Sequence, residues 1–207
     1  MFRVTRVADE KGNVLIQDPP IARFLFQSSA TAWLWLVVRV YVGYEWLSSG
    51  LHKLGDPAWF GDGQAILVYW KRAVAIPEPP ARPLITYDWF RAFLQLLIDT
   101  SAQAWFAKLI VAGEILIGLG LIVGALVGIA AFFGAVMNVN FMLAGTTSIN
   151  PTLLLLSMLL LLAWKNAGYI GLDRLLLPAL GTPWGQPALR PAAKPRAGED
   201  MPAARAA

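Results

Sequence analysis

Two long apolar blocks with almost no charge restrict the folds open to this chain more than any other feature. Residues 30–54 and 104–164 contain only five charged side chains, which are Arg39, Glu45, Lys53, Lys108 and Glu114. The 207-residue chain is 14% charged, whereas an ordinary soluble domain is about 25% charged. Since a membrane-spanning helix needs about 20 mostly apolar residues, the blocks indicate a membrane protein and argue against a soluble enzyme.

The two blocks divide into four predicted spans. These cover about residues 30–54, 105–123, 125–143 and 152–164. The second and third spans meet at Gly124 with almost no loop, so we expect them to form a tight antiparallel hairpin. The predicted fold class is therefore an all-α membrane protein, with a four-helix transmembrane bundle and a long outer loop between the first two helices.

Residues 55–103 form this outer loop, because they contain five prolines and charges of both signs. Its segment 88–99 reads DWFRAFLQLLID and places four apolar side chains on one helical face, namely Trp89, Phe93, Leu96 and Leu97. A helix that lies on the bilayer surface has this pattern. A helix packed on the end of the bundle has it equally, so both alternatives are open.

Lysine and arginine positions set the expected orientation. Four of these residues precede the first span, six follow the fourth, and none lies in the two short links. Cytoplasmic segments carry the excess of basic residues, which predicts that residues 1–29 and the tail 166–207 are cytoplasmic. From about residue 186 the tail is rich in Ala, Pro and Arg, a composition typical of disorder. Basic residues at the edges of apolar blocks indicate orientation in a bilayer, so no nucleic-acid partner is expected.

The sequence excludes several kinds of redox chemistry within this chain. It contains no cysteine and one histidine, which rules out disulfides, thiolate nucleophiles and cysteine ligation of iron–sulfur clusters. No metal-ligand spacing and no glycine-rich dinucleotide loop are present. Any redox reaction would therefore use an organic cofactor or a partner subunit.

Three charges inside the predicted spans are the first candidates for a site, because charges near a bilayer centre are costly. Counted from the outer helix ends, Glu45 lies roughly 10 Å deep, Glu114 roughly 13 Å and Arg39 roughly 19 Å. Asn138, Asn140 and Ser157 fall in the same layer. Two alternatives follow: a structural Arg39–Glu114 ion pair held with Asn138, or a cavity in the outer half that binds a head group or carries protons.

His52 shares one helical stripe with Glu45 and Ser49, leading to the outer surface. A quinone ring needs a hydrogen-bond donor for each carbonyl and a route for protons. We therefore take Glu45, His52 and Glu114 as candidate catalytic residues and four others as candidate cofactor-binding residues: Arg39, Trp46, Asn138 and Asn140. The simpler interpretation of His52 is an interfacial residue at a helix end, and Lys53 beside it is expected to reach toward the surface.

Five sequence blocks resemble the DoxX/DoxD family of four-helix bacterial and archaeal membrane proteins. They are RVYVGYEWLSSGLHKL, YDWFRAFLQLLID, FAKLIVAGEILIGLGLIVG, MNVNFMLAGTTSINP and AWKNAGYIGLDRLLLP, and they lie within about residues 33–180. The resemblance implies a multi-pass protein of the cell membrane. It also marks six polar positions as typical of the family: Arg39, Glu45, His52, Lys53, Glu114 and Asn138.

Some members of this family resemble the membrane subunit of thiosulfate:quinone oxidoreductase, which acts beside a smaller partner subunit. The resemblance thus implies a membrane quinone as the cofactor and a membrane or surface subunit as the partner. A non-catalytic accessory or assembly subunit of a larger membrane complex is the alternative. A transporter is less favoured, because no paired interrupted helices indicate an inverted repeat.

Overall fold

The computed structural model describes residues 7–8, 14–15 and 18–182, and this part of the chain is predominantly helical. Its helices, in chain order, are α1 (Pro20–Gln27), α2 (Ala32–Leu54), α3 (Pro57–Phe60), α4 (Gln64–Val74), α5 (Asp88–Asp99), α6 (Gln103–Val123), α7 (Val127–Leu143), α8 (Asn150–Leu162), α9 (Trp164–Gly168) and α10 (Asp173–Ala179). Strands β1 (Val7–Ala8) and β2 (Val14–Leu15) form one short antiparallel pair. The predicted all-α class is confirmed, and the segment expected to be disordered from about 186 lies outside the described residues.

The four long helices α2, α6, α7 and α8 each begin and end within two residues of a predicted span. Helix α2 packs most extensively on α6, and α7 on α8. Glycine makes the α2–α6 contact possible, since a Cβ added to Gly118 would lie 2.6 Å from the backbone nitrogen of Leu47. A Cβ at Gly43 would likewise lie 2.9 Å from the carbonyl oxygen of Gly118. Small residues allow this close approach of two backbones.

The loop between α2 and α6 folds into a helical layer over one end of the bundle, which we call the cap (residues 57–99). Its core consists of side chains from α4 and α5, among them Ile66, Trp70, Phe90, Leu94 and Leu97. The sequence analysis did not predict α4. The Tyr69 hydroxyl ties this helix to the end of α7 through Thr146 Oγ1, at 2.6 Å, and burial raises the pKa of Tyr69.

Helix α5 combines features of both alternatives left open for it. Its buried face, Phe90, Leu94 and Leu97, packs within the cap on the end of the bundle. Trp89 and Leu96, which share the predicted apolar face with Leu97, are instead 63% and 58% exposed. The helix therefore has more apolar surface than the bundle end covers.

Helix α1 lies across the opposite end of the bundle and makes an angle of 59° with the segment that contains α2. Phe26 stacks on Trp35, with ring centroids 5.5 Å apart. Ile21 and Phe24 on the same short helix point away from the bundle and are 80% and 59% exposed. Helix α1 thus has apolar side chains packed on the protein and other apolar side chains that the protein leaves uncovered.

Candidate functional site

A cavity of about 1430 Å³ lies beneath the cap and continues between α6 and α7. Most of its lining is apolar and aromatic, including Trp70, Phe106 and Phe141. Its polar side chains come from two sides. Helices α2 and α6 provide Glu45, Ser49, His52, Lys53 and Glu114, and the opposite side provides Tyr69, Asn140, Thr146, Ser148 and Asn150. Mostly apolar walls with a few converging polar groups are typical of small-molecule sites.

An ion pair between Lys53 and Glu114 forms the centre of this polar end. Lys53 Nζ lies 2.5 Å from Glu114 Oε1, and the side chains are 16% and 1% exposed. The ammonium also donates to Ser49 Oγ at 2.9 Å. The rings of Trp59 and Phe141 lie 5.1 Å and 5.7 Å from Nζ. Lys53 therefore turns into the bundle, and the expectation that it reaches toward the surface was wrong.

Four further predicted site residues line the same cavity. Glu45 is half-buried and Trp46 is buried, whereas His52 and Asn140 are exposed. The Asn140 amide donates to the Val136 carbonyl one turn earlier in α7, at 2.8 Å. The structure thus brings together Glu45, Trp46, His52, Glu114 and Asn140, which the sequence analysis had selected from three separate helical segments.

Arg39 does not line the cavity and lies at the end of the bundle where α6 turns into α7. Its guanidinium donates to the carbonyls of Leu121 and Ile122, at 2.5 Å and 2.7 Å, and to that of Ile170. The last carbonyls of a helix have no partner within the helix and carry the negative end of its dipole. Arg39 satisfies them at the end of α6, so the predicted Arg39–Glu114 ion pair was wrong.

Asp173 completes this arrangement from the other side of the turn. Its carboxylate accepts hydrogen bonds from the backbone nitrogens of Leu126 and Val127, at 2.6 Å and 2.9 Å, and so caps the start of α7. Burial raises the pKa of Asp173, while these hydrogen bonds and the charge of Arg39 act in the opposite direction. Gly124 lies between the two charges with φ +73°. We call Arg39, Gly124 and Asp173 the turn clamp.

A second group of polar atoms is buried in the bundle core, at the contact of α2, α7 and α8. Trp46 Nε1, both amide atoms of Asn138 and Ser157 Oγ have no hydrogen-bond partner among the described residues. Trp46 Nε1 and Ser157 Oγ both lie close to Gly134, 3.2 Å and 3.6 Å from where its Cβ would be. Asn138, one turn after Gly134 on α7, does not line the cavity. Buried water commonly bridges such groups.

Large apolar side chains cover much of the outside of the bundle. Examples from the four long helices are Val37 (61% exposed), Leu116 (69%), Phe132 (51%) and Leu162 (64%). Among the described helices, α6 alone is long and apolar enough to cross a membrane, and the bent α1–α2 pair qualifies when counted as one span. Helices α7 and α8 are apolar but shorter, at 17 and 13 residues.

Comparison of the chain with protein-family models, with curated proteins and with solved structures finds no match.

Proposed function

We propose that this chain is an integral membrane protein of the DoxX type that binds a membrane quinone in the cavity beside Lys53 and Glu114. In this role it is the membrane subunit of a quinone-linked oxidoreductase, of the thiosulfate:quinone kind that the sequence resemblance implies. The observation that carries the proposal is a large, mostly apolar cavity whose polar groups converge on one buried ion pair.

The membrane location is supported by the apolar exterior of the bundle. Soluble monomers rarely expose contiguous apolar patches larger than a few hundred Å², whereas all four long helices here expose large apolar side chains. Helices α2, α6, α7 and α8 are the proposed spans. Helix α8 alone covers about 20 Å at 1.5 Å per residue, and α9 continues it after a break at Ala163. The distribution of basic residues supports cytoplasmic termini and an external cap.

Labelling of single cysteines tests this orientation directly, because the natural chain has no cysteine. We expect Ala81→Cys, in the cap, to react with a membrane-impermeant maleimide in intact cells. Ser29→Cys, beside α1, should react only after the cells are lysed. Both positions are exposed, so access and not burial decides the result. Labelling of Ser29→Cys in intact cells, or protection of Ala81→Cys there, would contradict the proposed orientation.

The polar end of the cavity has the groups that a quinone head requires. Lys53 supplies a charged donor at the inner wall, and His52 can donate from nearer the exposed rim. His52, which is exposed near the cap, is suited to exchange protons with water there. Glu45 lines the same cavity two turns deeper on α2. Because the chain has no cysteine, we assign the acceptance of electrons from thiosulfate to a partner subunit.

Quinone binding is measurable through the tryptophans of the cavity. Titration of the purified protein with decyl-ubiquinone should quench tryptophan fluorescence saturably, because Trp46, Trp59 and Trp70 all line the site. Trp59→Phe, which replaces the indole beside Lys53 by a phenyl ring that does not report in tryptophan fluorescence, should reduce the saturable part of the quenching. Trp33→Phe is the matched control, since Trp33 is 63% exposed and lies outside the cavity lining. Quenching that never saturates, or that both variants lower equally, would count against a quinone site.

A non-catalytic accessory subunit is the second candidate function. It is favoured by the turn clamp, since Arg39 and Asp173 join parts of the fold and do not themselves line the cavity. In this alternative the Lys53–Glu114 pair also acts only in packing. The two functions differ in whether the pair affects ligand binding in a protein that is still folded.

A further inference from the structure

The part of the cavity between α6 and α7 forms a long groove that is open to the side of the bundle. One stripe of α6 forms its first wall, with Leu109, Gly113, Leu116, Gly120 and Val123 at successive intervals of four and three residues. The opposite wall comes from α7: Leu126, Ile129, Ala130, Phe133 and Met137. From Leu109 to Val123 the groove runs for about 21 Å at 1.5 Å per residue.

Small residues keep the floor of this groove deep. A Cβ added to Gly120 would lie 3.2 Å from the Ala125 carbonyl oxygen and 3.4 Å from Ala130 Cβ, and one added to Gly113 would lie 3.3 Å from Met137 Sδ. The rim, by contrast, carries large side chains that are half exposed or more, such as Leu116 at 69% and Phe133 at 53%. The α6 and α7 side chains that form these two walls are uncharged, and Glu45 of α2 lines the same cavity.

We infer that this groove holds the apolar tail of the ligand whose head lies at Lys53 and Glu114, and that the ligand reaches the site sideways from the bilayer. The inference rests on the proposed function and names its ligand class as a long-tailed, membrane-dissolved amphiphile. Three observations favour this occupant over a helix of a partner protein. The groove is continuous with the charged pocket, it has no charged wall, and the cap covers the end of the site nearest the Lys53–Glu114 pair.

The size of the cavity agrees with a two-part ligand. Pockets for drug-sized molecules measure about 300–1,000 Å³, and this cavity measures about 1430 Å³. Along α6 and α7 most of the lining is apolar. A head group alone would leave most of this volume unfilled.

The test compares ubiquinone without a side chain and decyl-ubiquinone, using the purified chain in phosphatidylcholine nanodiscs. Gly120→Leu fills the floor of the groove without touching the polar end. We expect it to weaken binding of the decyl compound about tenfold or more, through lost tail contacts, and to leave the tail-less compound unchanged. Ile129→Trp on the opposite wall is the second variant, in case Gly120→Leu folds poorly. Leu155→Trp on α8 is the control, since Leu155 is 60% exposed and lies outside the cavity.

A decyl-ubiquinone that carries a photoreactive diazirine at the end of its tail gives an independent readout. Crosslinks at Leu116 to Val123 and at Ile129 to Phe133, competed by excess decyl-ubiquinone, support the inference. Crosslinks spread evenly over α6, α7 and α8, with groove variants that bind both compounds like the wild type, would overturn it while the quinone site stands. If neither the tail-less compound nor decyl-ubiquinone binds, the proposed function is overturned as well.

Discussion

Arg39→Met is expected to destabilise the protein strongly, by about 3–5 kcal/mol, without abolishing quinone binding in the fraction that stays folded. Arg39 is 2% exposed. Its guanidinium donates to two carbonyls at the end of α6 and to a third, that of Ile170, shortly before α10. Methionine preserves the bulk of the side chain but leaves these acceptors buried and unpaired. It also removes the positive charge from the end of the α6 dipole.

Thermal melting of the purified protein in detergent measures this loss. Arg23→Met is the matched control, because Arg23 is exposed on α1, and its melting temperature should stay close to that of the wild type. Arg39→Lys should fall between the two, since one ammonium cannot reproduce the planar fork of the guanidinium. An Arg39→Met protein that melts normally but no longer binds quinone would show that Arg39 acts at the ligand and not in the turn clamp.

Breaking the Lys53–Glu114 pair is expected to have an effect of similar size, with a characteristic pattern in the double variant. Either Lys53→Met or Glu114→Gln should lower stability by about 3–5 kcal/mol, because each leaves a buried group without its partner. The double variant Lys53→Met/Glu114→Gln should recover much of this loss, since no uncompensated charge remains. Lys108→Met on the exposed face of α6 is the control for loss of a lysine.

The double variant also separates the two candidate functions. If the pair holds the quinone head, the refolded double variant should bind decyl-ubiquinone at least about tenfold more weakly, the equivalent of 1.4 kcal/mol. If the protein is an accessory subunit, the folded double variant should leave the activity of its complex unchanged. Unchanged quinone affinity in a stable double variant would therefore remove the pair from the binding site.

The bounds of the long helices could be predicted from sequence because uninterrupted apolar runs leave few places for a helix to end. Helix α4, which was not predicted, does have a helical pattern of apolar residues in the sequence. Ile66, Trp70 and Ala73 follow one another at intervals of four and three residues, and they form its buried face. The prolines that follow α4, at 77, 79, 80 and 83, favour a loop and so oppose the prediction of a helix in this region.

The partners of the buried charges were harder to predict. Depth along the helices placed Glu114 between Glu45 and Arg39, but depth gives no information about direction around each helix axis. Arg39 binds backbone carbonyls, which every helix end offers and which leave no mark in the sequence. Asp173 lies 46 residues beyond the α7 start that it caps, so no local pattern connects them. Lys53 stands four residues after Ser49 on α2, so the two share a helix face, but this spacing does not indicate that the face turns inward.

The turn clamp has a mechanical consequence for the bundle. Arg39 and Asp173 hold the end of α6 and the start of α7 together across Gly124, so these two helices are fixed to each other at this turn. We therefore expect relative motion between them to be smallest at the clamp and to grow toward the cap. The hydroxyl of Tyr69, bonded to Thr146 just beyond α7, lies at that freer end. We expect contacts of the cap such as this one to set the width of the space between α6 and α7 at that end.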